Sequence, residues 1–597
     1  MLSVFSKLVR RRWTTLVLTA VVLAAGWSLL RPGFFRAHDF THGARIVEMA
    51  RGLEDGQLPV RWSRNLGYGY GMPLFEFYAP LPFFVGAVPW LAGVELVTII
   101  KLLYLATTVG TAWGGYLLGR QLFGRSGGVL TAAALTLAPY RAVNIFVRGA
   151  LSEAAGIMFL PWILWSLIIL IEAGPGSFSR SDRSGRAAAL ALTASLTGLL
   201  LTHNLTALMF VPFSLVFAGL YILTGPQWHQ AADKLRCWWR QLLGVVRWYI
   251  LTIGLSAFYV FPALLEKGFT KVDSILGGYF DYSLHFLYIR QFWQPNWGYG
   301  GSVWGPDDDI SFFLGFGQLA VAILVAVAIA WQGYHWWRQG NRRRLPRVSS
   351  SGWTVVIAAG LLVASLFLSL LKAKFIWDVL PLINFIQFPW RWLAVAIVWL
   401  AVLVGGSTLL LPKSRRRSWA LIWTVVILLA NVWFFQPESY LDDPSDFYYH
   451  DASMIRREMS GILPDFIPAT LNVELAPAAE RTRCRHRECL PEEMTVLIDR
   501  SHQLLVETRL KNPEEIVINV ADFPGWRLEL DGQPIDKTTT SDGLIIAEMP
   551  VGQHRLGVLL DSTPVRSISD ATTAVSLLAA GLVFVELRPA GKGGDDE

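Results

Sequence analysis

The chain has 597 residues, 53% of them hydrophobic and only 16% charged, with a mean hydropathy of +0.41. Soluble domains carry about 25% charge, so a water-soluble globule is excluded for the chain as a whole. The net charge of +7 does not point to nucleic acid, because Arg and Lys gather in short hinges between apolar runs, where they report topology and not a binding stripe.

A spanning helix needs roughly 20 mostly apolar residues. The first run, Thr14 to Leu30, follows Lys7, Arg10, Arg11 and Arg12. Trp27-Ser28-Leu29-Leu30-Arg31-Pro32 lacks the small residues of a cleavage site. The run is therefore read as a retained helix with a cytoplasmic N-terminus. Further runs follow at 95–118, 127–146, 154–172, 187–203, 206–224, 248–265, 311–333, 353–371, 391–411, 419–435 and 570–588. Pro80 to Leu91 is apolar but short, and Pro82 and Pro89 break it. Counting it as a span would invert every later loop, so it is read as an interfacial or re-entrant helix.

With about twelve spans, five basic hinges fall on one side: Arg120 and Arg125; Arg180, Arg183 and Arg186; Lys234, Arg236, Arg240 and Arg247; Arg338, Arg342, Arg343, Arg344 and Arg347; and Lys413, Arg415, Arg416 and Arg417. The positive-inside rule makes that side the cytoplasm. The expected fold is a polytopic α-helical membrane protein of the cytoplasmic membrane with both termini inside. Residues 1–435 form the transmembrane domain, with long outer loops at 31–79, 266–310 and 372–390. Residues 436–569 form an extracytoplasmic domain, β-rich in its second half, and 570–597 a last helix and short cytoplasmic tail. Strands are expected at 516–520, 526–530, 544–548 and 554–560, with turns at Asp531-Gly532, Asp542-Gly543 and Val551-Gly552. That spacing suggests a small β-sandwich. Cys484 and Cys489 lie in this region, where an oxidising compartment permits a local disulfide; a zinc site would lack a second ligand pair nearby.

Chemistry-bearing residues concentrate in the outer loops and at helix ends. The first loop reads His38-Asp39-Phe40-Thr41-His42-Gly43-Ala44-Arg45. A carboxylate just past the first span can take a proton from an attacking hydroxyl at the membrane surface. Equally, Asp39 can cap a helix beginning near Thr41. Arg148 and Glu153 sit at the outer end of a helix pair, where charges are either paired or functional. His203 and Asn204 lie where two helices turn back with almost no loop: a substrate contact or a hydrogen-bonded turn. Arg391, after Phe388-Pro389-Trp390, can fork onto a phosphate or snorkel to the interface. Asp307, Asp308 and Asp309 are read as a solvated face, since consecutive residues rarely converge on one ion.

Taken together these segments resemble the GT-C class of membrane glycosyltransferases, and within it the YfhO-like and related bacterial branch. The resemblance rests on Asp39 with His38 and on the Gly67-Tyr68-Gly69-Tyr70-Gly71-Met72-Pro73 segment. It rests also on Tyr140-Arg141, on 148–153, on Thr202-His203-Asn204 and on 387–391, and finally on Phe523-Pro524-Gly525-Trp526-Arg527 with Asp531-Gly532. It implies transfer of a sugar from a polyprenyl-phosphate-linked donor to an extracytoplasmic acceptor, a cell-envelope glycan, lipid or protein, with Asp39 as base and His38 beside it. His42, Arg148, Glu153, His203 and Arg391 are the expected substrate contacts. No cofactor is called for. A divalent metal is compatible with the class, but no second acidic residue stands directly beside Asp39. The alternative is a non-enzymatic envelope lipid or polysaccharide transporter or assembly factor on the same scaffold. Inverted repeats and ionisable residues in mid-helix would mark a transporter.

Overall fold

A computed structural model describes residues 2–174, 183–338, 349–380, 382–441, 451–459, 464–472, 474–478 and 480–585. Arg180, Arg342, Arg343, Arg344 and Arg347 of the basic hinges, and the tail past Val585, lie outside the described residues.

Nine helices among the described residues are long and apolar enough to cross a membrane. A tenth is the pair Lys234–Leu255 and Ala257–Leu265, bent by 75°. The longest, Leu96–Thr136, has 41 residues, about 60 Å of helix, twice a bilayer core. Its backbone leaves the helical region at Gly124 (φ 79°, ψ −175°). There it folds back on itself: a Cβ on Gly115 would lie 3.1 Å from the Ala132 Cα, a pair that a straight helix holds on the order of 25 Å apart. Small residues let the two arms approach closely; the second arm ends at Thr136 and helix resumes at Pro139–Ala142 and Val143–Val147. Pro564–Val585 is a further apolar helix, with Val575, Leu577, Leu578 and Leu582 exposed along it. Each of the twelve expected runs lies largely in helix among the described residues, of which nine helices, or ten with the bent pair, are long and apolar enough to cross a membrane.

Two boundaries differ from expectation. Residues 234–247 were read as a basic hinge but are helical, because the Asp233 side chain accepts the Arg236 N–H at 3.0 Å and starts the helix. The same helix breaks at Ser256, and its freed groups find partners across the fold. The Phe258 N–H donates to Thr573 Oγ1 at 2.9 Å, and the Phe258 carbonyl accepts from Arg61 Nη1 at 3.0 Å. Leu81–Leu91 is an 11-residue helix, too short to cross. It buries Phe83 and Ala87 and exposes Phe84, Val85 and Val88, as an interfacial helix does.

The C-terminal region holds two antiparallel sheets. One orders Thr482–Cys484, Glu514–Ala521, Leu544–Met549 and Thr538–Thr539; the other orders Met494–Asp499, Gln503–Leu510, Gly552–Leu560, Trp526–Leu530 and Gln533–Ile535. The four strands expected from the sequence are present. Five were not singled out, and four of these are edge strands of the two sheets, where one-sided pairing relaxes the apolar pattern. Cys484 and Cys489 form a disulfide.

These sheets do not form a separate body. Trp62 of the first loop is fully buried against Phe523 and Trp526, with ring centroids 5.9 and 5.3 Å away. The Tyr70 carbonyl accepts the Ala521 N–H at 2.9 Å, and Gln57 Nε2 donates to Ser501 Oγ at 2.7 Å. Below this junction Arg566 lies between two buried carboxylates, its Nε 3.0 Å from Glu76 and 2.9 Å from Glu266. Burial pushes the Glu76 carboxyl up to about 8, with the neighbouring Glu266 carboxylate acting in the same direction and Arg566 opposing it.

Candidate functional site

The site lies on the face that carries the β sheets, away from the Gly124 turn. Helix His42–Glu54 begins there with Thr41 as its cap residue. Asp39, two residues earlier, is not the cap. Its Oδ1 accepts from the Thr41 hydroxyl at 2.8 Å, and its Oδ2 lies 3.2 Å from Arg45 Nη1. Arg45 is buried, its guanidinium 4.3 Å over the Tyr78 ring, and it also donates to the Tyr78 hydroxyl at 3.1 Å. The Asp39 side chain is 30% exposed, so its free edge meets solvent. Burial alone would raise its pKa, but the Arg45 charge and the Thr41 hydrogen bonds outweigh this and hold it well below the usual carboxylate range. The sequence placed His38 beside Asp39 as a second catalytic residue. In the structure His38 is exposed and its Nε2 contacts the Tyr299 carbonyl at 2.7 Å; Arg45 holds the carboxylate instead. His42 is fully buried, with Nε2 2.5 Å from the Gly149 carbonyl and 3.9 Å from Asp39 Oδ2.

A second cluster adjoins the first. Glu153, in the first turn of Leu151–Ala173, accepts from Arg148 Nη1 at 2.6 Å and from the Tyr140 hydroxyl at 2.7 Å. Arg391 Nε stands 3.9 Å from the same carboxylate. Arg148 stacks 4.6 Å over Trp390 and Arg391 4.9 Å over Phe388. Arg391 is braced by the Ile386 carbonyl at 2.7 Å and the Gln387 side chain at 2.9 Å. The two clusters are joined through backbone, since the Asp39 N–H donates to the Arg148 carbonyl at 2.8 Å. Arg391 thus converges on Arg148 and Glu153, which lie far from it in sequence. His203 does not join them by hydrogen bond. Its Nδ1 accepts the Thr206 N–H at 3.2 Å and caps helix Asn204–Ile222, the hydrogen-bonded turn that the sequence left open. Asp307 and Asp308 diverge, one to Arg290 and one to Gln291, each at 2.7 Å.

Sequence reasoning missed the roles of Arg45, Tyr78 and Trp390. Arg45 was legible in principle, since it lies one helical turn past the Thr41 cap, on the side facing back toward Asp39. Tyr78 and Trp390 carried no local signal beyond aromatic content.

No family model matches the chain. It is similar to an uncharacterised protein of Lactococcus lactis subsp. cremoris, 23% identical over 294 residues, which are 47% of this chain and 44% of that one. Among solved structures, its fold is similar to the arabinofuranosyltransferase AftD from Mycobacteria, at 17% identity and a TM-score of 0.42 over 72% of this chain and 28% of that one. It is also similar to the Archaeoglobus fulgidus oligosaccharyltransferase with a tethered acceptor peptide, at 12% identity and a TM-score of 0.42 over 74% and 59%. The chain thus spans less than half of the Lactococcus relative, less than a third of AftD and under two thirds of the oligosaccharyltransferase. Likenesses of this size concern the path of the chain and carry nothing about substrate.

Proposed function

We propose that this chain is a GT-C-type membrane glycosyltransferase that moves a sugar from a polyprenyl-phosphate-linked donor to an extracytoplasmic acceptor, with the β-sheet face outside. The observation that carries the reading is a partly exposed, ionised carboxylate, Asp39, joined through one backbone hydrogen bond to a cluster holding two arginines, Arg148 and Arg391. In this reaction the acceptor hydroxyl oxygen bonds to the anomeric carbon while the bond from that carbon to the phosphate oxygen breaks. The hydroxyl proton passes to Asp39, and the leaving phosphate carries its negative charge to the arginines. Glu153 keeps both guanidiniums in place when no phosphate is bound, and its carboxylate offsets part of their charge. Donors fixed in advance around developing negative charge lower the barrier without reorganisation. Arg391 Nε is buried without a hydrogen-bond partner among the described residues, 3.9 Å from Glu153 Oε2. The lipid chain of the donor lies in the surrounding membrane, where its phosphate can meet the ends of the spans.

Asp39→Asn keeps the shape and the Thr41 bond but removes the charge. In membranes supplied with a panel of synthetic polyprenyl-phosphate sugars, transfer should fall by about 10² to 10⁴-fold with insertion intact. Transfer at the wild-type rate would sink the assignment of Asp39 as base.

A further inference from the structure

Three successive carbonyls at the end of one span accept hydrogen bonds from the first loop and its helix. Val147 accepts the His38 N–H at 3.1 Å and Arg148 accepts the Asp39 N–H at 2.8 Å. The Gly149 carbonyl takes two partners at once, His42 Nε2 at 2.5 Å and the Tyr104 hydroxyl at 2.8 Å. A carbonyl oxygen has two lone pairs and can only accept, so both groups must donate to it. The two donors come from different elements, helix His42–Glu54 and the first arm of the Leu96–Thr136 hairpin.

The turn itself admits only glycine. Gly149 has φ +63°, and a Cβ there would lie 2.7 Å from the Asp39 carbonyl and 2.7 Å from Ala37 Cβ. The His42 ring is fully buried and packs on Phe83, 6.2 Å between centroids, and edge-on to Tyr104 at 6.4 Å. Its Nδ1 has no hydrogen-bond partner among the described residues. A neutral imidazole carries one N–H, and the Gly149 carbonyl assigns it to Nε2. A ring so enclosed cannot reach an acceptor hydroxyl or a sugar.

We propose that His42 and Tyr104 are positioning residues, which clamp the Gly149 carbonyl and so fix the backbone of Asp39 against that of Arg148. The role of Asp39 as base rests on the transferase reading above; the clamp rests on geometry alone. It accounts for why a loop of the first outer segment meets the Arg148–Glu153 cluster in one register: the carbonyls of 147, 148 and 149 are read in order by His38, Asp39 and His42.

The test uses the full-length protein in detergent or nanodiscs, with hydrogen exchange followed by mass spectrometry on peptides covering 37–41. His42→Ala should speed exchange of the His38 and Asp39 amides about tenfold, the effect of losing one buried hydrogen bond. His42→Gln, whose amide can still donate, should restore most of the protection. Tyr104→Phe keeps the ring and removes one donor, and should give an intermediate rate. It also serves if His42→Ala does not fold. Wild-type protection in Tyr104→Phe, or no rescue by Gln in a folded protein, would overturn the clamp. In the transfer assay, His42→Gln should keep the wild-type pH profile; loss of a limb of that profile would make His42 an acid–base group and not a positioning one. Failure of the transferase reading looks different: Asp39→Asn would leave transfer unchanged while the exchange results stood.

Discussion

Glu153→Gln is the sharpest probe of the second cluster. The Glu153 side chain is 1% exposed and that of Arg148 12%, so the pair is largely out of water. The carboxylate accepts from Arg148 Nη1 at 2.6 Å, from Tyr140 at 2.7 Å and from Asn144 Nδ2 at 3.4 Å, with Arg391 Nε at 3.9 Å. Gln preserves the volume and can keep the Tyr140 bond, but it leaves two guanidiniums facing each other with no counter-charge in the cluster. Removing one partner of a buried ion pair costs about 3–5 kcal/mol, and two clustered cations place this case at the upper end. Arg148→Gln combined with Glu153→Gln should be less destabilised than the two single changes added together, by about 1–3 kcal/mol. The assay is reversible unfolding in mixed micelles followed by tryptophan fluorescence, with the double-mutant cycle closed. A single-variant loss under about 1 kcal/mol, with full additivity in the cycle, would refute the buried pair.

Trp62→Ala should cost about 3–5 kcal/mol, as for a large buried side chain, read as a lowered melting midpoint of the β region. For the same reason a soluble piece spanning 436–569 should melt less cooperatively than one with 57–72 tethered to it, and equal melts would contradict the shared core. Glu76→Gln should flatten the stability–pH curve. A carboxyl raised from 4.5 to about 8 contributes stability that is fully present below the unfolded pKa. That stability is lost as pH rises toward 8, at up to about 1.4 kcal/mol per pH unit. An unchanged slope between those limits would show that Glu76 is not the titrating group. Cysteine placed at Gly532 should react with a membrane-impermeant reagent from outside intact cells and cysteine at Gly124 should not; the reverse pattern would invert the proposed orientation.

The places of the apolar helices along the chain were legible in the sequence, because lipid makes a length requirement that each segment meets alone: roughly 20 apolar residues, whatever its neighbours are. The strands at 516–520 and 544–548 were legible for a related reason, since apolar runs bounded by Gly turns are local patterns. Asp39 could be singled out because it follows the first span so closely in the chain. The partners of these groups could not. Arg391 meets Glu153, 238 positions earlier in the chain, Trp62 enters a core whose other rings are Phe523 and Trp526, and His42 finds a carbonyl at Gly149. Hydrogen bonds and ion pairs act over a few ångströms, so which buried donor meets which acceptor is settled only when helices and loops pack. The sequence offered a carboxylate, an imidazole and several arginines near helix ends; the packing of the turn at Gly149 against the first loop decided which of them touch, because the backbones there come so close that a Cβ on Gly149 would lie 2.7 Å from the Asp39 carbonyl.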